Sequence, residues 1–394
     1  MQHFSHLEPA TAEYLFHEPP SRVDSTSDLT TRALALGATL YIPATRGDLA
    51  ETVVKRASEG CRSVVLDLED AVADTDLAAA RTAVVHTLDN LADRPPEAAV
   101  FVRVRTADDM HFVCDRIAGG IEVLTGFVLP KFRPESGDAF LRSVSERSAA
   151  CGKHLLVMPV LESREMVYRE SRDDELVGAR EVLGRHRASV LAVRIGATDM
   201  SSAFGIRRDR DLTIYDVRVV ADTIGSIVNH LGRSDGTGFV VTGPVWEYFA
   251  DHERLFRPML RSTPFAEHDA VRFRQQLVSR DIDGLLREVA LDRANGLHGK
   301  TVIHPSHIAA VHSLSVVTHE EYQDAQSIAS ASEDSGVQAS GYRNKMNELG
   351  PHRPWAEQTL RRATVFGVTA ENVSFVDVMQ ALAQRPDSAA GALR

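Results

Sequence analysis

Eight short apolar runs, spaced by segments of helical pattern, limit this chain more than any other feature of its sequence. They are T-L-Y-I-P-A-T (39–45), S-V-V-L-D-L-E-D (63–70), A-V-F-V-R-V-R (99–105), G-F-V-L-P-K (126–131), L-L-V-M-P-V-L-E-S (155–163), V-L-A-V-R-I-G-A-T-D-M (190–200), G-F-V-V-T-G-P-V-W (238–246) and K-T-V-I-H-P-S (300–306). Each is continuous rather than alternating, as strands buried on both faces are, and each is bounded by Gly, Pro or polar residues. Between them Asp48 to Glu59, Asp76 to Leu91 and Thr213 to Leu231 carry apolar residues at helical spacing. Eight β-α alternations over about 270 residues predict an α/β fold, a (β/α)8 TIM barrel, with a doubly wound open sheet as the competing architecture.

The spacing also divides the chain. Residues 1–30 are polar and rich in Ser and Thr and read as a flexible N-terminal segment. The barrel is expected over 31–318, with an inserted helix or loop in the long stretch 247–296. A C-terminal helical extension follows over 319–384, where no further strand is expected, 333–340 reads as a polar linker and 355–364 as a short helix. Residues 385–394 read as a disordered tail.

Composition excludes some partners. The formal charge of −11 argues against nucleic acid. No apolar run approaches the roughly 18 residues of a membrane span, so no membrane association is expected. Cys61, Cys114 and Cys151 form no CxxC pair and fit a reducing compartment; without a leader-like N-terminus, the expected location is cytoplasmic.

Strand ends of a barrel converge on one mouth, where active sites lie. Here they carry Arg46; Asp67, Glu69 and Asp70; Arg103 and Arg105; Lys131; Glu162; Asp199; and His304. Glu162 and Asp199, on neighbouring strands, would repel as bare carboxylates. A hard cation relieves this, and Mg²⁺ takes one or two protein carboxylates with water and substrate oxygens completing its shell. Arg103 and Lys131 can hold the other side of an anionic substrate, an arrangement suited to a 2-oxo acid. Asp70 also fits a helix cap, Arg103 a structural ion pair, and Arg105 a rim position.

In this order, D-L-E-D-A-V, V-R-V, V-L-P-K, M-P-V-L-E-S, G-A-T-D-M and G-K-T-V-I-H-P-S-H-I resemble the HpcH/HpaI aldolase and citrate lyase beta-subunit family, over Thr39 to Ile308. The resemblance implies a (β/α)8 barrel, Mg²⁺ or Mn²⁺, and carbon–carbon cleavage of 2-oxo or 3-hydroxy acids or their acyl-CoA thioesters. It implies a homotrimer or homohexamer, in which the C-terminal extension covers a neighbouring subunit's site. It makes Glu162 and Asp199 the metal ligands, Arg103 the arginine that binds the substrate's carboxylate or oxo group, and Glu69 and Asp70 the acidic cluster beside the metal. With it, Arg103, Glu69 and Asp70 are the expected catalytic residues, a metal-bound water or Glu69 moving the proton, and Arg46, Arg103 and Lys131 the expected substrate-binding residues. Two departures stand out. The family's G-N-R-P loop, which binds CoA, reads A-T-R-G-D here. The aspartate of its C-terminal G-x-M-I-D-x-P stretch falls at Asn347 in K-M-N-E-L-G-P. The long 247–296 segment and the tail around Tyr342, Arg343, His352 and Arg353 resemble a divergent branch, the C–C bond lyases of tellurite-resistance and stress-type gene clusters. Alternatives on the same barrel are a thioesterase, a phosphoenolpyruvate-type enzyme, or a catalytically silent scaffold.

Overall fold

The computed structural model describes residues 1–249, 280–332 and 336–383. The expected strands β2 (Ala38–Pro43), β3 (Ser63–Asp67), β4 (Ala99–Arg103), β5 (Leu124–Leu129), β6 (Leu156–Leu161), β7 (Val193–Ile195), β8 (Val241–Thr242) and β9 (Lys300–Val302) form one parallel sheet in the order β8-β7-β6-β5-β4-β3-β2-β9. A parallel bridge between Gly243 and Lys300 joins the two ends, so the sheet closes into the expected TIM barrel. The registers align Pro43 with Asp67, Asp67 with Arg103, and Arg103 with Val128, which brings these residues to one layer at the mouth.

Burial on both faces explains the continuous apolar runs. Leu40, Ile42, Val64, Leu66, Val100, Val102, Phe127 and Leu129 belong to the layer between strands and helices, where they meet Val84, Leu88 and Val113. The alternate residues Tyr41, Val65, Phe101, Val128, Met158 and Val160 fill the interior, and Ala33 and Leu36 cap it from below. The helix Arg218–Leu231 buries Val220, Ile224, Ile227 and Leu231, three or four residues apart; each such side chain contributes about 1.5–3 kcal/mol.

A buried ionic network fastens the last crossover. Lys300 donates to Glu288 Oε1 (2.9 Å) and Asp292 Oδ2 (2.7 Å), Arg208 pairs with Glu288, and the Tyr215 hydroxyl donates to Asp292 Oδ1 (2.8 Å). Glu288 and Asp292 lie on the helix Arg280–Ala294, so helix, strand and the loop near Arg208 are held together. That helix falls within the predicted insertion; 250–279 lie outside the described residues, as do 333–335 and 385–394 of the predicted linker and tail.

The ends of the chain differ from expectation. Residues 1–30 are not a free segment. They form the helices Pro9–Leu15 and Leu29–Leu34 and β1 (Phe16–Glu18), which pairs antiparallel with β12 (Val368–Thr369). Phe4, Leu15, Phe16 and Val23 share a second core with Leu34, Val365 and Phe366. Polar composition hid this, because the apolar residues that anchor the segment are few and widely spaced. Strands also continue after Pro305. A hairpin of β10 (Val337–Ala339) and β11 (Met346–Glu348) joins the helix His319–Ser330 to Leu349–Phe366, a helix longer than predicted. The helix Phe375–Ala383 follows. This C-terminal helical region packs under the barrel's lower end through Leu34 and Ala35, away from its own mouth. No helix among the described residues is long and apolar enough to cross a membrane.

Candidate active site

The mouth is organised around Arg103. Its Nε and Nη2 each donate to one oxygen of Asp67, both at 2.6 Å, in a fork-to-fork pair that only a guanidinium can make. Its Nη1 donates to Asp70 Oδ2 (3.2 Å) and lies 2.7 Å from Glu69 Oε2. The second contact is close but off the N–H direction, so Glu69 Oε2 is buried without a hydrogen bond. Asp67 further accepts from the Glu69 backbone N–H (2.9 Å).

Arg105 fixes the acidic loop. It donates to the carbonyls of Leu68 (2.8 Å), Glu69 (3.3 Å) and Val72 and pairs with Asp74. This is why D-L-E-D can turn sharply at a strand end: the carbonyls released by the turn are taken by a side chain from the next strand. Asp70 is not a helix cap: a 3-10 turn over Asp74–Asp76 follows, with Ala73 before it, and the α-helix begins at Leu77 after Asp76.

Lys131 adopts a left-handed backbone, φ 49°, a conformation costing a non-glycine residue roughly 1–3 kcal/mol. The geometry sends its N–H to Glu162 Oε1 (2.8 Å) and its ammonium to Glu69, with Asp70 at 3.4 Å and Asp199 at 3.9 Å. Glu162 is buried, and its other oxygen rests against Gly196, where a Cβ would lie 1.7 Å from Oε2. Asp199 stands in the first turn of Ala197–Ser202, more open to solvent. Beside this cluster opens a cavity of about 390 Å³ lined by Glu69, Asp70, Val72, Asp74, Arg105, Pro130 and Lys131.

The electrostatics are one-sided. Asp67, Glu69, Asp70, Glu162 and Asp199 face Arg103 and Lys131, five carboxylates against two cations. Burial, with the nearby charges of Asp199 and Glu69, pushes Glu162 up to about 8. Burial also raises Glu69 against the pull of Arg103 and Lys131. Burial would raise Asp70 too, but its hydrogen bond with Glu69 and the charges of Arg103 and Lys131 outweigh it and hold Asp70 low. Lys131 is held above its usual value: partial burial opposes this, and the Glu69 hydrogen bond and acidic charges prevail.

The structure thus gathers Glu69, Asp70, Arg103, Lys131, Glu162 and Asp199. It does not bring in Arg46, whose guanidinium is taken by Asp48 (2.5 Å) and Thr52 (2.9 Å) in the loop after β2. Asn347 is not at the mouth of its own barrel either. It is buried in the hairpin, donating to Asp324 Oδ1 (3.0 Å), beside the Lys345–Asp324 pair (2.8 Å). Among the described residues, no group of three or more His, Cys, Asp or Glu is placed to hold a metal ion by itself.

Two interior residues escaped the sequence reading. Arg194 is 1% exposed, inside the barrel. It donates to Thr39 Oγ1 (3.3 Å) and Thr301 Oγ1 (2.5 Å) and contacts Met158 Sδ (3.7 Å), while its Nε has no partner. Its guanidinium lies 5.6 Å from the centre of the Tyr41 ring, and that of Arg103 lies 5.2 Å from it. A charge in the middle of V-R-I, otherwise an apolar strand, was the available signal.

A family model, C–C bond lyase of the TIM-barrel fold, matches residues 30–368. The chain belongs to this family of carbon–carbon lyases. Among solved structures it is similar to a citrate lyase from Burkholderia xenovorans LB400, at 17% identity over 88% of this chain and 96% of that one, with a TM-score of 0.61. It is similar to CitE from Mycobacterium tuberculosis in complex with magnesium, acetoacetate and coenzyme A, at 23% identity over 83% and 97%, TM-score 0.50. The Haloferax volcanii malate synthase ternary complex with pyruvate and acetyl-CoA matches at 13% identity over 74% and 70%, TM-score 0.51. At these identities the likeness is one of fold. No curated protein matches the chain.

Proposed function

We propose that this lyase is Mg²⁺-dependent and cleaves a carbon–carbon bond in a small 2-oxo or 3-hydroxy acid through an enolate. The observation that carries the reading is the unbalanced mouth: a buried Glu162 carboxylate pressed against Gly196, with Asp199 in the helical turn that follows the next strand and too few cations to neutralise the set. Hard carboxylate oxygens, one buried on Glu69 without a hydrogen bond, fit Mg²⁺ or Mn²⁺, with Glu162 and Asp199 as the ligands. Bound there, the ion would draw electron density from the substrate's oxo group. CitE, of the same fold, is described with magnesium, acetoacetate and coenzyme A.

The chain's own residues supply the rest. Asp67 locks the Arg103 fork, which presents a fixed positive face to the substrate's carboxylate or oxo oxygen. Lys131, half exposed at the cavity, takes a second anionic group as it leaves Glu69 and Asp70. Glu69 and Asp70 hold Arg103 and Lys131 in place and order water. The internal pairing of Arg46 with Asp48 favours the free acid over a CoA thioester, since a phosphate arriving there would meet Asp48. The lower-end position of the C-terminal region, with Val337 and Met346 exposed on its hairpin, fits a homotrimer or homohexamer in which it reaches a neighbour's mouth.

The test is Mn²⁺ binding followed by electron paramagnetic resonance, then a screen of 2-oxo and 3-hydroxy acids for pyruvate or acetate release. Wild type should bind Mn²⁺, and Glu162→Gln and Asp199→Asn should each weaken it at least tenfold. A folded wild type that does not bind Mn²⁺ would make the acids structural and favour the scaffold reading.

A further inference from the structure

Arg194 sets a problem that the lyase reading leaves open. A guanidinium in a barrel interior is costly to bury unless a carboxylate pairs with it. None does here among the described residues. The side-chain partners of Arg194 are hydroxyls and a thioether, its Nε is orphaned, and the groups that act on its charge are Tyr41 and Arg103. The arrangement makes sense if negative charge develops beside it during turnover.

Tyr41 is where that charge can appear. It lies on β2, facing inward, with one guanidinium from β7 and one from the end of β4 within 5.6 Å of its ring centre. Leu40 and Ile42 on either side are buried, yet Tyr41 is partly exposed. Since Ala33 and Leu36 cap the interior from below, its opening is towards the mouth. Burial raises the phenol above its ordinary value, and Asp67 at the end of β3 and Glu162 after β6 add to this, so it rests as the protonated acid; Arg194 from β7 and Arg103 from β4 pull the other way. Asn347, standing where a proton-moving aspartate was expected, cannot do that work.

Building on the lyase reading, we propose that Tyr41 is a catalytic residue that carries the proton for the enolate carbon, and that Arg194 is a positioning residue that holds the phenolate left behind. The step balances. As the carbon–carbon bond breaks, its electron pair moves into the enolate. The Tyr41 O–H gives its proton to the enolate's terminal carbon, which becomes a methyl group. The phenolate is returned to phenol by the proton released, through water, from the substrate's hydroxyl as that becomes a carbonyl. No oxidant, reductant or net proton is needed. Arg194 and Arg103 stabilise the phenolate without moving, since both are fixed before the substrate arrives.

The experiment is exchange of the pyruvate methyl protons for deuterium, followed by NMR with Mg²⁺ present, in wild type and Tyr41→Phe, with Mn²⁺ affinity measured in parallel. Wild type should exchange, faster as pH rises, because the reverse step needs phenolate. Tyr41→Phe should be slower by about 100-fold or more, the usual scale of acid–base catalysis, with Mn²⁺ affinity unchanged. Arg194→Gln should move the wild-type pH dependence to higher pH, and Arg194→Lys should move it part of the way back. Equal exchange in wild type and Tyr41→Phe would overturn the role of Tyr41 and leave the lyase reading standing. Loss of Mn²⁺ binding along with exchange in Tyr41→Phe would make Tyr41 structural. A wild type that binds Mn²⁺ but exchanges no pyruvate proton would overturn both.

Discussion

At the scale of single residues, the site depends on one missing atom. Gly196 has a negative φ (−99°), so it does not sit in the left-handed region that favours glycine. What requires glycine is Glu162 Oε2, which occupies the space of a Cβ. Gly196→Ala would change no charge and yet push the Glu162 carboxylate aside. We expect at least a tenfold loss of Mn²⁺ affinity, read by electron paramagnetic resonance, with a stability cost of about 1–3 kcal/mol for the overpacked position. An unchanged affinity would show that Glu162 is not held by this contact. The residues that meet at the mouth were readable in the sequence, because strand ends are simple to find and a barrel brings them together. Their partners were not. That Arg103 spends its fork on Asp67, or Arg46 its charge on Asp48, depends on side-chain reach across loops, which strand pattern does not carry.

At the scale of elements, the last crossover shows what a buried charge can do without serving chemistry. Lys300 is 0% exposed and stands between Glu288 and Asp292, which are likewise buried. Burial pushes Asp292 up to about 6 even with Lys300 beside it. Lys300→Met would leave Glu288 with Arg208 and Asp292 with only the Tyr215 hydroxyl in the interior, and breaking a buried pair costs about 3–5 kcal/mol. Urea unfolding should show that loss, while Mn²⁺ affinity should stay within about twofold, because the network lies outside the mouth. A drop of less than about 1 kcal/mol would mean that water reaches the network. K-T-V was legible as a strand from its β-branched residues. Its lysine pointing into a core was not, since nothing in the local pattern distinguishes it from a rim lysine such as Lys131.

At the scale of the whole molecule, the N-terminal segment and the C-terminal helical region meet beneath the barrel around histidines that must stay neutral. His312 Nε2 accepts from the Ala38 N–H (3.1 Å), His3 Nε2 bonds the Ala35 carbonyl (2.9 Å), and the two rings lie 4.6 Å apart edge to face, with Phe366 against His3. A protonated His312 would lose that acceptor and place a cation in an apolar core beside Arg62. Burial lowers His3 to about 3 and holds His312 well below its ordinary value. The unfolded chain therefore takes up protons below about pH 6.5 that the folded chain refuses, so stability is full above that pH and falls as pH drops towards the folded values. Each histidine contributes a slope of about 1.4 kcal/mol per pH unit in that window, or about 2 kcal/mol between pH 7 and 5. Carboxylates held low by ion pairs, such as Glu321, lose stability in the same direction at still lower pH, so the histidine share has to be isolated. His312→Gln does this, since the amide oxygen can accept from Ala38 without titrating. Chemical denaturation at pH 7 and pH 5 should show the difference between the two shrinking by about 2 kcal/mol in the variant. An undiminished difference would mean that His312 is protonated in the folded protein and that the packing around His3 and Phe366 tolerates its charge.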